Sequence, residues 1–458
     1  MKNKLTDKLK EQLIKKAIER RSQRVGKQYE SHPGSFRSAV NNNANINIPE
    51  KFYHFDKHPG YQQLLIVKEG AAKLGIPNPY FRAHEYASGR EASIDGKKYL
   101  NFASYNYLGL SGNKDVNHAA KQAIDQYGTS VSASRVASGE RLIHRQLEQA
   151  LADAYEVEDC VVFVSGHATN VTTIGYLFGK NDLIIHDALI HNSALQGAQL
   201  SGATRISFPH NDLEALTRIL EKERNHFEQV LIIVEGIYSM DGDYPDLPAL
   251  VALKKKYKTY LMVDEAHSFG VMGKTGLGIR EHFNVAGTDV DIWMGTLSKA
   301  LASSGGYITG NSALVEHLKF AAPGFLYSVG LAPPVAAAAL QSLRCMLAEP
   351  DRVERLQQRG KQFLEQLRAL GIDVGNSTGF AIVPAITGSS IKAGRLADAL
   401  FQRGINVQPI LYPAVEEKAA RLRFFISSEH TEEDINFAVK ILAEEIGVKP
   451  KQANQSID

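Results

Sequence analysis

Short apolar runs alternate with helix-like patterns between about residues 115 and 335. The runs are Cys160–Ser165, Asp182–His186, Thr204–Phe208, Val230–Glu235, Thr259–Asp264, Asp289–Met294 and Gly306–Thr309. Several of them are apolar almost throughout, which is typical of strands in a parallel sheet that helices cover on both faces. The alternation therefore predicts a β–α layout around a mostly parallel central sheet.

The pattern changes after Pro333–Pro334, where a long helical stretch begins. Shorter strands are predicted near Ala381–Pro384 and Leu422–Ile426, and a closing helix from about Glu432. This part of the chain predicts a smaller C-terminal α+β domain. The predicted division is 1–48 (basic helix and linker), 49–110 (N-terminal segment), 111–340 (large domain), 341–449 (small domain) and 450–458 (tail).

The first thirty residues are rich in Lys and Arg and carry an apolar stripe. Leu5, Leu9, Leu13 and Ala17 repeat at helical spacing, and the Asn-rich stretch over 41–47 that follows has the composition of a linker. We predict an appended amphipathic helix. Three roles stay open for it: a solvated arm packed along a dimer, docking to a partner protein, and, least favoured, adhesion to an anionic membrane surface.

Composition excludes several classes of protein. The chain has 458 residues and a net charge of +2 with mixed signs, which gives no reason to expect nucleic acid as a partner. No apolar run approaches the length of a membrane span, and the N-terminus lacks a signal peptide's apolar core. The two cysteines, Cys160 and Cys345, are too few for a disulfide framework. We expect a cytoplasmic protein with both thiols reduced, and no metal site.

Two residues at predicted strand ends suggest one cofactor. Asp264 ends an apolar run, and Lys299 follows the next strand within Gly295–Lys299. A desolvated lysine can lose its proton and form an imine with an aldehyde. A carboxylate can hold the protonated pyridine nitrogen of pyridoxal 5′-phosphate (PLP), whose ring withdraws electrons from a substrate carbon. Taken alone, Lys299 could belong to a solvated Ser–Lys pair on a turn, and Asp264 could be a helix cap. The prediction depends on both residues lying at the carboxyl ends of buried strands.

A phosphate site is predicted where a buried strand meets a helix. Ser165, Gly166 and His167 open that helix, whose amides and positive dipole end suit a phosphate. A plain strand-to-helix turn would have the same sequence. Thr296 and Ser298 add hydroxyls near the lysine, and Ser328 is a further candidate.

Three more side chains are candidates for contacts to the cofactor ring. His191 follows a strand and could lie over the face of the ring, although a histidine more often has a structural or surface role. His267 follows Asp264 by three positions and could reach the ring oxygen. Ser239, in the run Glu235–Asp243, is a second candidate for that oxygen.

These motifs resemble those of the α-oxoamine synthases, which are fold-type I PLP-dependent enzymes. The resemblance covers roughly residues 95 to 445. It rests on Asn101–Gly109, on Ser134–Arg135 with Ser138–Gly139 and His144, and on the runs Glu235–Asp243, Asp264–His267 and Thr296–Lys299. The sequences around Val161–Thr173 and Gln408–Val415 are similar to members associated with polyketide synthases. Two positions depart from the family pattern: Tyr105 replaces an Asn, and Val329 stands where some members carry a Thr.

The resemblance implies a role for each candidate. Lys299 would form the Schiff base, Asp264 would pair with the pyridinium, His191 would stack on the ring, and His267 and Ser239 would contact its oxygen. Arg423 would grip the amino acid carboxylate, with Arg421 as the fallback. Asn106 and Ser134 are the other predicted substrate-binding residues. Members of this family form their sites at a subunit interface, so a homodimer is expected, and Ser328 would reach the neighbour's phosphate.

The function implied is a decarboxylative Claisen-type condensation of an amino acid with an acyl thioester. Alanine or serine is favoured over glycine, because Ser134 stands where some members carry the larger Thr. A carrier-bound acyl chain ranks before coenzyme A, and the basic N-terminal helix would then steer an acidic carrier protein. Two alternatives remain: an aminotransferase with the same fold and cofactor, and a non-catalytic scaffold.

Overall fold

The computed structural model describes residues 48–448, which fall into two compact units, 48–81 and 82–448. The predicted N-terminal helix, its linker and the predicted tail lie outside the described residues. The boundary between the units falls inside the predicted segment 49–110. The smaller unit contains helix α1 (Pro59–Lys73), which begins at a proline and is capped by the His58 side chain, an acceptor for the Gly60 amide.

The larger unit opens with an antiparallel hairpin, β1 (Glu91–Ile94) and β2 (Lys97–Asn101). Asp95 and Gly96 form its two-residue turn, and both have positive φ, as this kind of turn requires. The sequence analysis missed both strands. Their apolar content is low, since only alternate residues are buried.

The main sheet has seven strands. They are β3 (Asp159–Phe163), β4 (Leu183–Asp187), β5 (Thr204–Phe208), β6 (Val230–Glu235), β7 (Tyr260–Asp264), β8 (Ile292–Thr296) and β9 (Gly306–Gly310). Their order across the sheet is β3-β9-β8-β7-β6-β4-β5. Only β9 runs antiparallel to its neighbours, β3 and β8. The predicted mostly parallel sheet is confirmed.

The larger unit contains thirteen further α-helices among the described residues, and the main sheet is covered by helices on both faces. They are α2 (Lys114–Tyr127), α3 (Leu142–Tyr155), α4 (Gly166–Leu177), α5 (Asn192–Ser201), α6 (Leu213–Glu223), α7 (Leu247–Tyr257), α8 (Gly278–Phe283), α9 (Ser312–Ala321), α10 (Pro323–Leu326), α11 (Pro333–Ala348), α12 (Asp351–Ala369), α13 (Ser390–Gln402) and α14 (Glu432–Ile446). The last three pack with the smaller sheet or with one another. Successive residues of β6 join two separate apolar clusters, Ile232 in one and Ile233 in the other. The continuous apolar runs are therefore explained by burial on both faces.

A smaller sheet near the C-terminus contains β10 (Ile382–Ile386), β12 (Gln408–Ile410) and β13 (Arg421–Phe425), in the order β10-β13-β12. The predicted smaller α+β part is confirmed, with its closing helix starting at Glu432 as expected. The two-residue strand β11 (Ile405–Asn406) was not predicted and pairs in parallel with β2.

Some predicted strand limits were wrong by a few residues. The run Asp289–Met294 begins as a 3₁₀ turn over Gly287–Asp289, and its strand covers Ile292–Thr296. The run Cys160–Ser165 is strand only to Phe163, because Ser165 is already the N-cap of α4. Among residues 48–448, no helix is both long and apolar enough to cross a membrane.

Candidate active site

Parallel strands bring the predicted site residues to one edge of the main sheet. Glu235 ends β6, Asp264 ends β7, and the two are directly opposite each other in the ladder. Asp264 also pairs with Met294 of β8, and Lys299 follows three residues after that strand ends. The carboxyl edge of an open α/β sheet is where ligands bind. Asp264 and Lys299, which the sequence predicted to follow neighbouring strands, therefore lie at the same edge of the sheet.

Lys299 lies in a largely desolvated position. Its Nζ is 5.6 Å from the centre of the Tyr105 ring. Burial lowers the pKa of Lys299 to about 8; Asp264 and Glu235 act to raise it, and Arg423 lowers it further. The side chain is nevertheless partly accessible to solvent. A lysine with these properties holds a useful fraction of neutral amine near neutral pH.

Asp264 is held by two donors. Its Oδ2 accepts from Asn170 Nδ2 at 2.8 Å, and its Oδ1 accepts from the Ala266 amide at 3.0 Å. The residue is only 5% exposed. Hydrogen bonds to a carboxylate favour its charged form. Asp264 is thus a fixed, buried carboxylate, as the pairing with a pyridine nitrogen would require.

The same amide connects Asp264 to His191. Asn170 Nδ2 also donates to Ser193 Oγ at 2.9 Å, and Ser193 Oγ contacts His191 Nδ1 at 2.7 Å. His191 is the N-cap of α5, and its Nδ1 accepts from the Ser193 amide. The proton of the neutral ring is therefore on Nε2. Burial lowers the pKa of His191, which favours this neutral form.

Asn170 and Ser193 were not predicted as site residues. Asn170 stands in the run that was read as a phosphate loop, one turn into α4, and Ser193 follows His191 by two positions. Both are fully buried polar residues. A buried Asn inside a helix that starts at a predicted ligand site was the available signal.

His267 is buried under the same edge. Its Nδ1 lies 2.8 Å from the Tyr107 hydroxyl, and its ring is parallel to that of Phe425. Burial, together with the cations Lys299 and Arg423, places the pKa of His267 well below its usual value. The ring is therefore neutral, with one N–H to donate.

Arg423 and Arg421 differ in the donors that they leave available. Arg421 Nη1 donates to Asp241 Oδ1 at 2.7 Å and to the Met240 carbonyl, so this guanidinium is already paired with a carboxylate. Arg423 Nη1 donates to the Ser239 carbonyl at 2.9 Å, whereas its buried Nε has no partner within residues 48–448. An unpaired buried donor suits an incoming carboxylate. The geometry supports Arg423 over the fallback.

The predicted phosphate loop approaches the strand that precedes Lys299. Ser165 Oγ caps α4 by accepting from the Ala168 amide. A Cβ on Gly166 would come within 2.9 Å of Thr296 Oγ1, so only glycine permits this close approach. Thr296 Oγ1 also lies 2.8 Å from Ser298 Oγ. The helix end, the glycine and the two hydroxyls together form a surface that fits a phosphate.

Other predicted residues are placed less directly. His167 is exposed, and Ser328 Oγ donates to the Gly324 carbonyl within its own turn. Ser134 is half-buried at the start of a π-helical turn over Arg135–Gly139, and its carbonyl accepts from the Gly139 amide. None of these contacts connects the side chains to Lys299.

Asn106 and Tyr105 lie next to each other in the chain but make different contacts. Asn106 Oδ1 accepts from the Ser111 amide at 3.0 Å, within the local turn. The substrate contact predicted for Asn106 stays a prediction. Lys299 Nζ lies over the Tyr105 ring, which also makes an edge-to-face contact with the His267 ring. The sequence analysis treated Tyr105 only as a departure from a family pattern.

Comparisons with known proteins agree with this arrangement. The model of aminotransferase class I and II matches residues 97–442. A variant serine palmitoyltransferase from S. paucimobilis, solved with bound PLP–myriocin aldimine, superposes with a TM-score of 0.81 at 30% identity, covering 85% of this chain and 98% of that one. The chain belongs to the aminotransferase class I and II family, whose fold it shares.

Two relatives define its place in that family. The 8-amino-7-oxononanoate synthase of Thermoanaerobacter pseudethanolicus is 38% identical over 371 residues, which are 81% of this chain and 92% of the relative. The 4-hydroxy-2,2′-bipyrrole-5-methanol synthase PigH of Serratia sp. is 38% identical over 361 residues, 78% of this chain and 55% of the relative. The chain is an α-oxoamine synthase, an acyltransferase that depends on PLP.

Proposed function

We propose that this enzyme condenses alanine or serine with an acyl thioester, with loss of carbon dioxide, to give an α-aminoketone. The observation that carries the proposal is the convergence of Lys299, Asp264 and Arg423 at one sheet edge. Bound PLP would supply an electron-withdrawing ring that stabilises negative charge on the amino acid's α-carbon. All other steps fall to side chains of this chain.

Lys299 would hold the cofactor and would also move a proton. With the amino acid bound, its Nζ would take the α-proton and later return a proton to the product carbon. The lowered pKa of Lys299, about 8, supports both tasks, because neither the amine nor its conjugate acid is scarce near neutral pH. Asp264, fixed by the Asn170 amide, would hold the pyridine nitrogen protonated.

Arg423 would orient the amino acid. Its Nη1 is fixed to the Ser239 carbonyl, and its buried Nε has no partner within residues 48–448, which suits a carboxylate. The neutral His191 ring would lie against the cofactor, and neutral His267, with Ser239 as the second candidate, would donate to its ring oxygen. The phosphate would be held by Ser165, Gly166, Thr296 and Ser298. Once the α-carbon attacks the thioester carbon, the thiol leaves, and the carboxylate held by Arg423 departs as carbon dioxide.

The choice of substrates rests on sequence. Ser134, smaller than the Thr of some family members, favours alanine or serine over glycine. The motif similarity to polyketide-associated members and the basic N-terminal region favour a carrier-bound acyl chain over coenzyme A. We also propose a homodimer, in which Ser328 contributes to the neighbour's phosphate site. Light scattering of the purified protein tests the dimer.

An absorbance titration of the purified protein tests the function. Alanine, serine and glycine are added separately to the PLP-loaded enzyme, followed by an acyl thioester on carrier protein or on coenzyme A. We expect the spectrum to respond to alanine or serine, and carbon dioxide to appear only with the thioester. Conversion of PLP to pyridoxamine phosphate with release of a keto acid would instead show an aminotransferase. Failure to bind PLP would favour the other alternative, a non-catalytic scaffold.

A further inference from the structure

Two buried carboxyl groups lie side by side at the carboxyl edge of the main sheet. Glu235 and Asp264 are paired across β6 and β7, and Glu235 is only 3% exposed. Its Oε2 accepts from the Ser239 amide at 3.2 Å. Its Oε1 is buried and has no hydrogen-bond partner within the described part of the chain. Glu235 thus differs from Asp264, both of whose oxygens accept hydrogen bonds.

Two charges at these positions would repel each other in a poorly solvated site. When two carboxyl groups share such a site, one of them keeps its proton. Burial and the neighbouring Asp264 raise the pKa of Glu235 well above its usual value, against the opposing effects of Lys299 and of the Ser239 and His191 amides. The buried Tyr238 also interacts with Glu235, and burial raises the pKa of its hydroxyl, so that it stays neutral. The proton therefore stays on Glu235.

We propose that Glu235 is a neutral carboxylic acid that positions the ligand site: its Oε2 holds the Ser239 amide, and through Ser239 it holds Arg423. The inference rests on the proposed function for the role of Arg423, which is to bind the amino acid carboxylate.

Glu235 also acts on Arg423 through the backbone. The Ser239 amide donates to Glu235 Oε2, and the Ser239 carbonyl accepts from Arg423 Nη1. The two side chains thus hold Ser239 from both sides. Removing the carboxyl would loosen the loop that carries Ser239, and Arg423 with it. Glu235 is therefore a positioning residue for the carboxylate-binding guanidinium.

Infrared difference spectra of the apoprotein test the charge state without any cofactor. The wild-type minus Glu235→Gln difference at neutral pH should show the C=O stretch of a protonated carboxylic acid. Glu265, a second buried carboxyl that accepts from Ser268 Oγ and the Ile279 amide, is present in both proteins and cancels. A carboxylate band in place of the acid band would overturn the proposal. This result is independent of whether the protein binds PLP.

A pH titration of the bound cofactor's absorbance gives a second readout. Since Gln is neutral, Glu235→Gln should leave the midpoint of that titration within a few tenths of a pH unit of wild type. If Glu235 were ionised in the wild type, its replacement by Gln would lower the midpoint by about one pH unit or more, and that shift would also overturn the proposal. If Glu235→Gln does not fold, Glu235→Met gives the same test, because it is also neutral. Glu235→Met should in addition raise KM for the amino acid more than it lowers kcat, since Arg423 loses its support.

Discussion

Asn170 Nδ2 donates a hydrogen bond to Asp264 Oδ2 at 2.8 Å, joining the first turns of α4 to the end of β7. Since α4 also starts the proposed phosphate site, one helix fixes two groups that PLP would contact. Asn170→Ala removes a hydrogen bond to a charged group, which contributes about 1.5–3 kcal/mol. We expect the affinity for PLP to fall about tenfold to hundredfold, measured by absorbance titration of the apoprotein.

A surface pair provides the matched control for this variant. Asn181 Nδ2 donates to Glu228 Oε1 at 3.0 Å, and that contact is exposed. Asn181→Ala removes the same kind of bond far from the sheet edge and should leave PLP affinity at the wild-type value. Equal affinities for Asn170→Ala and wild type would show that Asp264 does not need this donor.

The lowered pKa of Lys299 predicts how the apoprotein reacts with PLP. The nucleophile is the neutral amine, whose fraction rises with pH through the folded-state pKa, about 8. The rate of cofactor attachment, followed by absorbance, should rise with a midpoint near pH 8 and level off above it. A midpoint above pH 10 would mean that Lys299 is an ordinary solvated lysine. Lys299→Ala should bind PLP without the absorbance band of the imine.

Arg423 and Arg421 should respond differently to the same substitution. Arg423→Lys loses the fork that would bind the amino acid carboxylate, so KM for the amino acid should rise about tenfold or more. Arg421→Lys breaks a contact with Asp241 that is made without substrate, so it should change KM much less. Steady-state kinetics of the two variants, with thioester saturating, makes the comparison. A larger KM effect at Arg421 would reverse the assignment.

The large sheet could be predicted because its central strands, such as β6 and β7, are buried on both faces and therefore almost entirely apolar. Strands with one exposed face, β1 and β2, were missed, and β11 is too short to form a pattern. The direction of β9 is set by its neighbours, not by its own residues. Lys299 and Asp264 were found because each follows a strong strand signal.

Contacts between side chains of distant elements were beyond the sequence. Asn170 donates to Asp264, which is 94 positions away along the chain. Asn106 was predicted from the family resemblance, and nothing in the sequence indicated that its Oδ1 accepts from the Ser111 amide or that the neighbouring Tyr105 ring lies beside Lys299. The buried state of Glu235 likewise depends on the ladder that pairs it with Asp264. The chemistry available to a residue could be predicted from its type, whereas the direction of its side chain could be known only from the fold.

His210 joins two of the loops that carry site residues. Its Nδ1 contacts Asp187 Oδ1 at 2.9 Å, and its Nε2 contacts Asp243 Oδ2 at 2.8 Å. Asp187 precedes His191 by four residues, and Asp243 follows Ser239 by four. Burial acts to lower the pKa of His210, but the hydrogen bonds to both carboxylates outweigh it and raise the pKa to about 10. The protonated ring therefore binds both loops.

The sign of the pH effect follows from this raised value. The imidazolium contributes its full stabilisation below the unfolded-state pKa, about 6.5, and loses it as the pH rises toward 10. His210 is only half-buried, so solvent screens this cluster, and removing the ring costs about 1–2 kcal/mol. His210→Gln should be destabilised by roughly that amount at pH 6, measured by urea unfolding, and the gap from wild type should shrink by pH 10. A gap that is constant between these pH values would mean that the ring is neutral in the folded protein.

The N-terminal basic region should matter only if the acyl group arrives on an acidic carrier. Opposite net charges speed the encounter of two proteins, and salt screens that attraction. A chain lacking residues 1–40 should therefore show kcat/KM reduced about tenfold for acyl carrier protein at low ionic strength, with the reduction fading at high salt. The same acyl group on coenzyme A is the control and should react equally with both forms. Equal losses with both thioesters would assign the region to folding or assembly instead of carrier recognition.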